Sequence, residues 1–83
     1  MSDTKRRRDK AARRRWLDAN VGSEWINVRD LARAMKEQCL YAPTTYEADI
    51  ANAIQWSYLL GVIERRSVFS GWDGFEIRRR PKR

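Results

Sequence analysis

The stretch "APTTYEADIANAIQWSYLLGVIERRS", Ala42 to Ser67, has the pattern of a helix that ends at a glycine and turns straight into a strand. Pro43 disfavours helix at Ala42 and the threonines offer a cap, so the helix is expected from about Thr45 to Leu60. At about 100° per residue, Ile50, Ile54 and Ser57 share one face, flanked by Ala53, Tyr58 and Leu60, and this is the face a core requires. The opposite face then carries Thr45, Ala48, Asn52, Gln55 and Leu59, with Asp49 and Trp56 at its border. Gly61 is a natural left-handed stop, and Val62 or Ile63 supplies the apolar contact that accompanies such caps.

Upstream, "SEWINV" is a short extended stretch able to pair as a strand, and Asn27 then opens the next helix by accepting the N–H of Asp30. Leu31, Ala34, Met35 and Gln38 or Cys39 continue at helical spacing, so this second helix is expected over about 28–39. A first helix over about 9–20 follows from Ala12, Trp16, Leu17 and Val21, leaving Lys10, Arg13, Arg14 and Arg15 outside. Residues 1–8 are charged and polar after Met1 and read as a disordered basic arm, and 81–83 as a basic tail beyond Pro81. Trp16 and Trp25 are expected in the core, Trp56 and Trp72 at the surface.

Downstream, "VIERRSVFSGWDGFEIRRR" reads as a hairpin with its turn in "SGWDG". Three registers are open. A three-residue loop of Trp72, Asp73 and Gly74, with Gly74 left-handed, pairs Phe69 with Ile77 and Ser67 with Arg79. This register alone collects Ile63, Phe69, Phe75 and Ile77 on one face, leaving Glu64, Arg66, Val68, Glu76, Arg78 and Arg80 on the other.

Eighty-three residues that are 42% hydrophobic suit one domain, since a second core would bury too little apolar surface to offset chain ordering. The net charge of +7 is concentrated at the two ends, around a nearly neutral middle. That distribution is the electrostatic footprint of a polyanion binder. The alternatives are a solubility tail or a localisation signal. With no histidine and one cysteine, histidine-based triads and the familiar zinc sites are excluded. Cys39 is expected as a buried, reduced small hydrophobe. Neither a membrane span nor a secretory signal is legible, so an intracellular, cytoplasmic chain is expected, nucleoid-associated or nuclear according to source. No nucleophile with its base, metal cluster or phosphate loop appears; the expectation is not an enzyme, with no cofactor and no metal.

The order helix, short strand, helix, turn, helix and two-stranded basic hairpin resembles the winged helix-turn-helix family of DNA-binding domains over about residues 9–80. Three pieces carry the resemblance: "NVRDLARAM", "TTYEADIANAIQWSYLLGVIERR" and "GFEIRRR". The resemblance implies an α+β fold of three helices, a C-terminal β-hairpin wing and a short strand between helices one and two. It also implies that the third helix enters the major groove of double-stranded DNA. Two departures stand out. Glu47 and Asp49 replace the customary basic residues, with no Lys or Arg between Ala42 and Ile63, and Ser57 stands where leucine is usual.

On that geometry Thr45 is a phosphate or cap residue, while Asn52 and Gln55 present paired donors and acceptors to adenine, beside Trp56. Arg66, Arg78 and Arg80 serve backbone or minor-groove contact. Trp72 wedges against DNA, meets a protein partner or folds back on the wing. Within "KRRRDKAARRR", Arg6, Arg7, Arg8, Arg13 and Arg14 form an arm on phosphates, or an arginine-rich helix entering RNA. The expected function is a sequence-biased DNA-binding protein, a transcriptional regulator or an accessory factor in replication or recombination, of a kind frequent in phages and mobile elements. The rivals are RNA binding through the arm and a protein-docking module. The latter would use Glu47, Asp49, Trp56 and Trp72 to meet a polymerase subunit or host factor. A domain this small reads few base pairs, so a homodimer or a partner is expected if it is specific.

Overall fold

Asp9 caps the first helix: its carboxylate accepts the Ala11 N–H, satisfying one of the orphan donors of the helix that follows. The computed structural model describes residues 9–81. Helix α1, Lys10–Asn20, turns Leu17 fully inward and ends where the Val21 N–H closes on the Leu17 carbonyl. Strand β1, Ile26–Asn27, leads directly into helix α2, Val28–Glu37. Asn27 caps α2 as expected, but its side chain accepts from Arg29 N, at 2.8 Å, rather than from Asp30. Val28, Leu31, Ala32 and Met35 form the buried face of α2.

Cys39 reverses its expectation. It is exposed and adopts φ of 60°, serving as the left-handed stop after α2, while Leu40 beside it enters the core. The third helix also departs from its sequence reading. Helix α3, Glu47–Ala53, starts two residues after Thr45, with Tyr46 as a cap residue that makes no side-chain cap bond. It continues into a π-helical turn, Ile54–Tyr58, closed by the Leu59 N–H on the Ile54 carbonyl at 3.0 Å. A π turn carries more residues than an α turn, so each residue turns through fewer degrees and the side chains after Ile54 fall progressively behind the α-helical phase. Leu59 is therefore fully buried although helical spacing set it outside, and Ser57 and Leu60, expected toward the core, are exposed.

Gly61, at φ of 84°, ends this segment as expected and delivers the chain to β2, Ile63–Ser67. After a loop containing a 3-10 turn, Trp72–Gly74, the chain returns as β3, Phe75–Arg79. The strands form an antiparallel sheet in the order β1-β3-β2. Ser67 pairs with Phe75 and Arg65 with Ile77, so the connection is longer than the three-residue loop expected, and Phe69 lies exposed outside the ladder. Because the register differs by an even number of residues, the faces keep their parity: Ile63, Phe75 and Ile77 still point one way, Glu64, Arg66, Glu76 and Arg78 the other. Gly71, not Gly74, is the left-handed glycine, while at Gly74 a Cβ would overlap the Phe69 carbonyl. The molecule is thus a small α+β fold of three helices and a three-stranded antiparallel sheet around one core cluster.

Candidate functional site

The exposed side of α3 and the arginines of the hairpin hold most of the residues singled out from sequence. At the start of α3, Tyr46 is 77% exposed and Thr45 is half-buried just outside the cap. Glu47 is not a free carboxylate, since it lies 4.0 Å from both Arg33 and Lys36 on α2. Asp49 and Asn52 are exposed, as is Trp56 at 55%.

Gln55 does not belong to this surface. It is only 4% exposed, its Nε2 donates to the Ala51 carbonyl at 3.1 Å and its Oε1 accepts from Arg65 Nε at 2.5 Å. Gln55 follows buried Ala51 by four residues, one helical turn on the same side, and its amide is satisfied there by the Ala51 carbonyl and Arg65. Arg65, a residue that sequence reasoning missed, is stacked against Trp56 and Phe75 at 4.5 and 4.4 Å from their ring centroids. Strand alternation held the signal: Arg65 is on the same face as Ile63 and Ile77 but remains exposed at the edge strand, where its guanidinium finds an acceptor and flat surfaces.

Across the outer face of the sheet, Arg66 donates to Glu76 at 2.7 Å and Arg78 to Glu64 at 2.7 Å. Both guanidinium groups also sit over Trp25, at 4.3 and 4.5 Å. Trp25 is therefore a half-buried platform outside the core, whereas Trp16 packs against the core as expected. The placement follows from Ile26: its side chain points inward opposite Ile77, so its neighbour points outward. Arg66 and Arg78 are thus each paired with a carboxylate within the sheet while remaining partly open to solvent. Arg80 is exposed, with its Nε on the Ile63 carbonyl at 3.1 Å.

Arg13 and Arg14, expected in a solvated arm, instead fasten α1 to the body. Arg13 donates to the Leu40 carbonyl at 2.8 Å and to the Tyr58 hydroxyl at 3.1 Å, and lies 3.9 Å over Tyr41. Arg14 donates to the Tyr58 carbonyl and to Asp18. Burial, and next the neighbouring Tyr58, push the Tyr41 hydroxyl well above its usual ionisation range, with Arg13 opposing them. The hydrogen bond from Arg79, at 3.0 Å, and then the one from Arg14 hold the Asp18 carboxyl below the usual range against a desolvation cost. Arg6, Arg7 and Arg8 lie outside the described residues, as does the expectation of a disordered arm at 1–8.

Trp72 is exposed, but the turn that carries it is tied back to the start of α2. Asn27 Nδ2 donates to the Asp73 carbonyl at 2.9 Å, and Arg29 stands 3.6 Å from the Asp73 carboxylate. Among the described residues, no group of three or more His, Cys, Asp or Glu side chains is placed to hold a metal ion, and no helix is long and apolar enough to cross a membrane. Comparison with models of protein families, with curated proteins and with solved structures yields no match to this chain.

Proposed function

We propose that the chain is a double-stranded DNA-binding domain of the winged helix-turn-helix type. In this reading α2 and α3 are the helix-turn-helix, β2 and β3 the wing, and β1 the short strand before α2. The observation that carries the proposal is the connectivity: α3 runs through left-handed Gly61 directly into a hairpin whose returning strand also pairs with β1. The major-groove surface is narrower than a helical wheel implies. Asn52 remains outward and able to address adenine, with Trp56 beside it and Thr45 at the entrance, while Gln55 is withdrawn. Arg66 and Arg78 share their charge with Glu76 and Glu64, which weakens their pull on phosphate, so affinity rests chiefly on the basic ends, including exposed Lys10, Arg15 and Arg80.

The test is fluorescence anisotropy with a random duplex and a matched RNA over a range of salt, on the full chain and on residues 9–83. Truncation stops at residue 8 because Arg13 and Arg14 belong to the folded body. The four bases Lys5, Arg6, Arg7 and Arg8 account for a loss of about 3–4 units in the slope of log affinity against log salt, at roughly 0.9 per phosphate. The proposal expects duplex binding to survive truncation, and Asn52→Ala to relax sequence preference in a site selected from a random pool. Loss of all binding on truncation, or a preference for RNA, overturns it. The rival docking module is favoured by exposed Tyr46 and Trp56 but weakened by the engagement of Glu47 with Arg33 and Lys36.

A further inference from the structure

Among the described residues, the strand order β1-β3-β2 leaves one side of β2 unpaired. The Val68 N–H donates to Gly74 and the Arg80 N–H to Val62, so the even-numbered residues of β2 turn their backbone groups toward β3. Ile63, Arg65 and Ser67 therefore present theirs outward. A shallow cleft lined by Ile63, Glu64, Arg65, Arg80 and Pro81 lies beside this edge. Edge strands of this kind are templates for another strand unless they are blocked.

We propose that β2 is a dimerisation edge. A second copy of this chain adds its own β2 antiparallel, across a two-fold axis at Arg65, to make one continuous six-stranded sheet. The proposal goes beyond the DNA reading and does not depend on it. In this register Arg65 faces Arg65 of the second copy, and Ile63 faces Ser67.

Charge selects the register. On the outer face, Arg78 already pairs with Glu64 and Arg66 with Glu76. Pairing about Arg65 brings Glu64 against Arg66 of the second copy. Each row of side chains then alternates in sign across four strands: Arg78, Glu64, and the second copy's Arg66 and Glu76. Moving the axis to either neighbouring residue sets Glu64 against itself or Arg66 against itself, which is unfavourable directly across a ladder. The one like-charged pair at the axis is relieved, because each Arg65 guanidinium is held back by Gln55 and lies between Trp56 and Phe75.

The same register covers exposed apolar surface. Val68, exposed in one copy, falls opposite Val62 of the other, with Leu60 and Phe69 at the two ends of the seam. The Arg80 side chain on the Ile63 carbonyl occupies one of that oxygen's two acceptor positions and leaves the second for the incoming Ser67 N–H. An isologous contact of this kind closes on itself and stops at two copies.

The test is sedimentation equilibrium of the full chain without nucleic acid, over rising concentration. A reversible monomer–dimer equilibrium is expected. Ser67→Pro removes an outward N–H without touching the β2–β3 ladder, and should raise the dimer dissociation constant about tenfold, through two lost bonds per dimer. In a Cys39→Ser background, Arg65→Cys should form a disulfide-linked dimer under mild oxidation, because directly opposed Cα atoms stand about 5.5 Å apart, within disulfide reach. Ser67→Cys, opposite Ile63, should not. A monomer at every concentration, a dimer indifferent to Ser67→Pro, or cross-linking at position 67 in preference to 65 overturns the proposal. If Ser67→Pro fails to fold, the cysteine pair decides it.

Discussion

Gln55 and Asn52 look alike in the sequence and differ completely in the fold. Removing the buried Gln55 side chain leaves Arg65 Nε without its acceptor and opens space under the π turn, so Gln55→Ala should cost about 1–3 kcal/mol in urea unfolding. Asn52→Ala, on the exposed side, should change stability by less than about 0.5 kcal/mol. Equal effects of the two would contradict the inward placement of Gln55. Asp18 carries a second residue-scale prediction. Because its folded carboxyl titrates lower than in the unfolded chain, its contribution to stability is present above about pH 4 and lost as pH falls through the lowered value. In Arg79→Gln the Asp18 midpoint, followed by carboxyl NMR, should move back upward. For Tyr41 the sign is opposite: its raised ionisation favours the fold below about pH 10, and that contribution fades as the solution becomes more alkaline. None of these partners was legible from residue type. Arginine announces a charge, but whether that charge meets a carbonyl, a carboxylate or water depends on which distant segment lies beside it.

Among the elements, the segment from Glu47 to Tyr58 was legible as a helix ending near Gly61, and its first half kept the expected phase, with Ile50 and Ile54 inside. The second half did not, because a single extra residue in one turn rotates everything after it. Leu59→Ala should therefore cost about 2–5 kcal/mol, while Leu60→Ala, at 62% exposure, should be nearly neutral. Thermal melts of the two variants check the phase directly, and the opposite ranking would restore a regular α-helix. The hairpin presents a parallel case. Its facial alternation was readable, since parity survives any even shift, but the register was not. What sets it is the loop from Val68 to Gly74, where the close approach of Gly74 to the Phe69 carbonyl demands a residue without Cβ. Gly74→Ala should destabilise the molecule more than Gly61→Ala. The latter meets open space and only the strain of a left-handed backbone, about 1–2 kcal/mol.

Over the whole molecule, the sequence suggested a basic protein with arginines to spare, and the fold makes many of them internal fasteners. Arg13 and Arg14 join α1 to the Leu40 and Tyr58 regions, and Arg79 joins β3 to the end of α1. Arg13→Ala should accordingly lower stability by about 1–3 kcal/mol, measured by urea unfolding, whereas Arg15→Ala on the exposed side should leave it unchanged. The outer sheet face behaves similarly, with two cations, two anions and Trp25 satisfying one another before any ligand arrives. By itself the sequence determined the order of the elements, the glycine stop at Gly61, the inward anchors Leu17 of α1 and Leu31 and Met35 of α2, and the alternation of the hairpin. These depend on local propensity and on periodicity within one element. Only the tertiary structure decided the burial of Gln55 against Arg65, the π turn that buries Leu59, the hairpin register, the exposure of Cys39 and the outward place of Trp25. Each of those depends on contacts between residues far apart in the chain, where packing against a neighbour outweighs the preference of the segment alone.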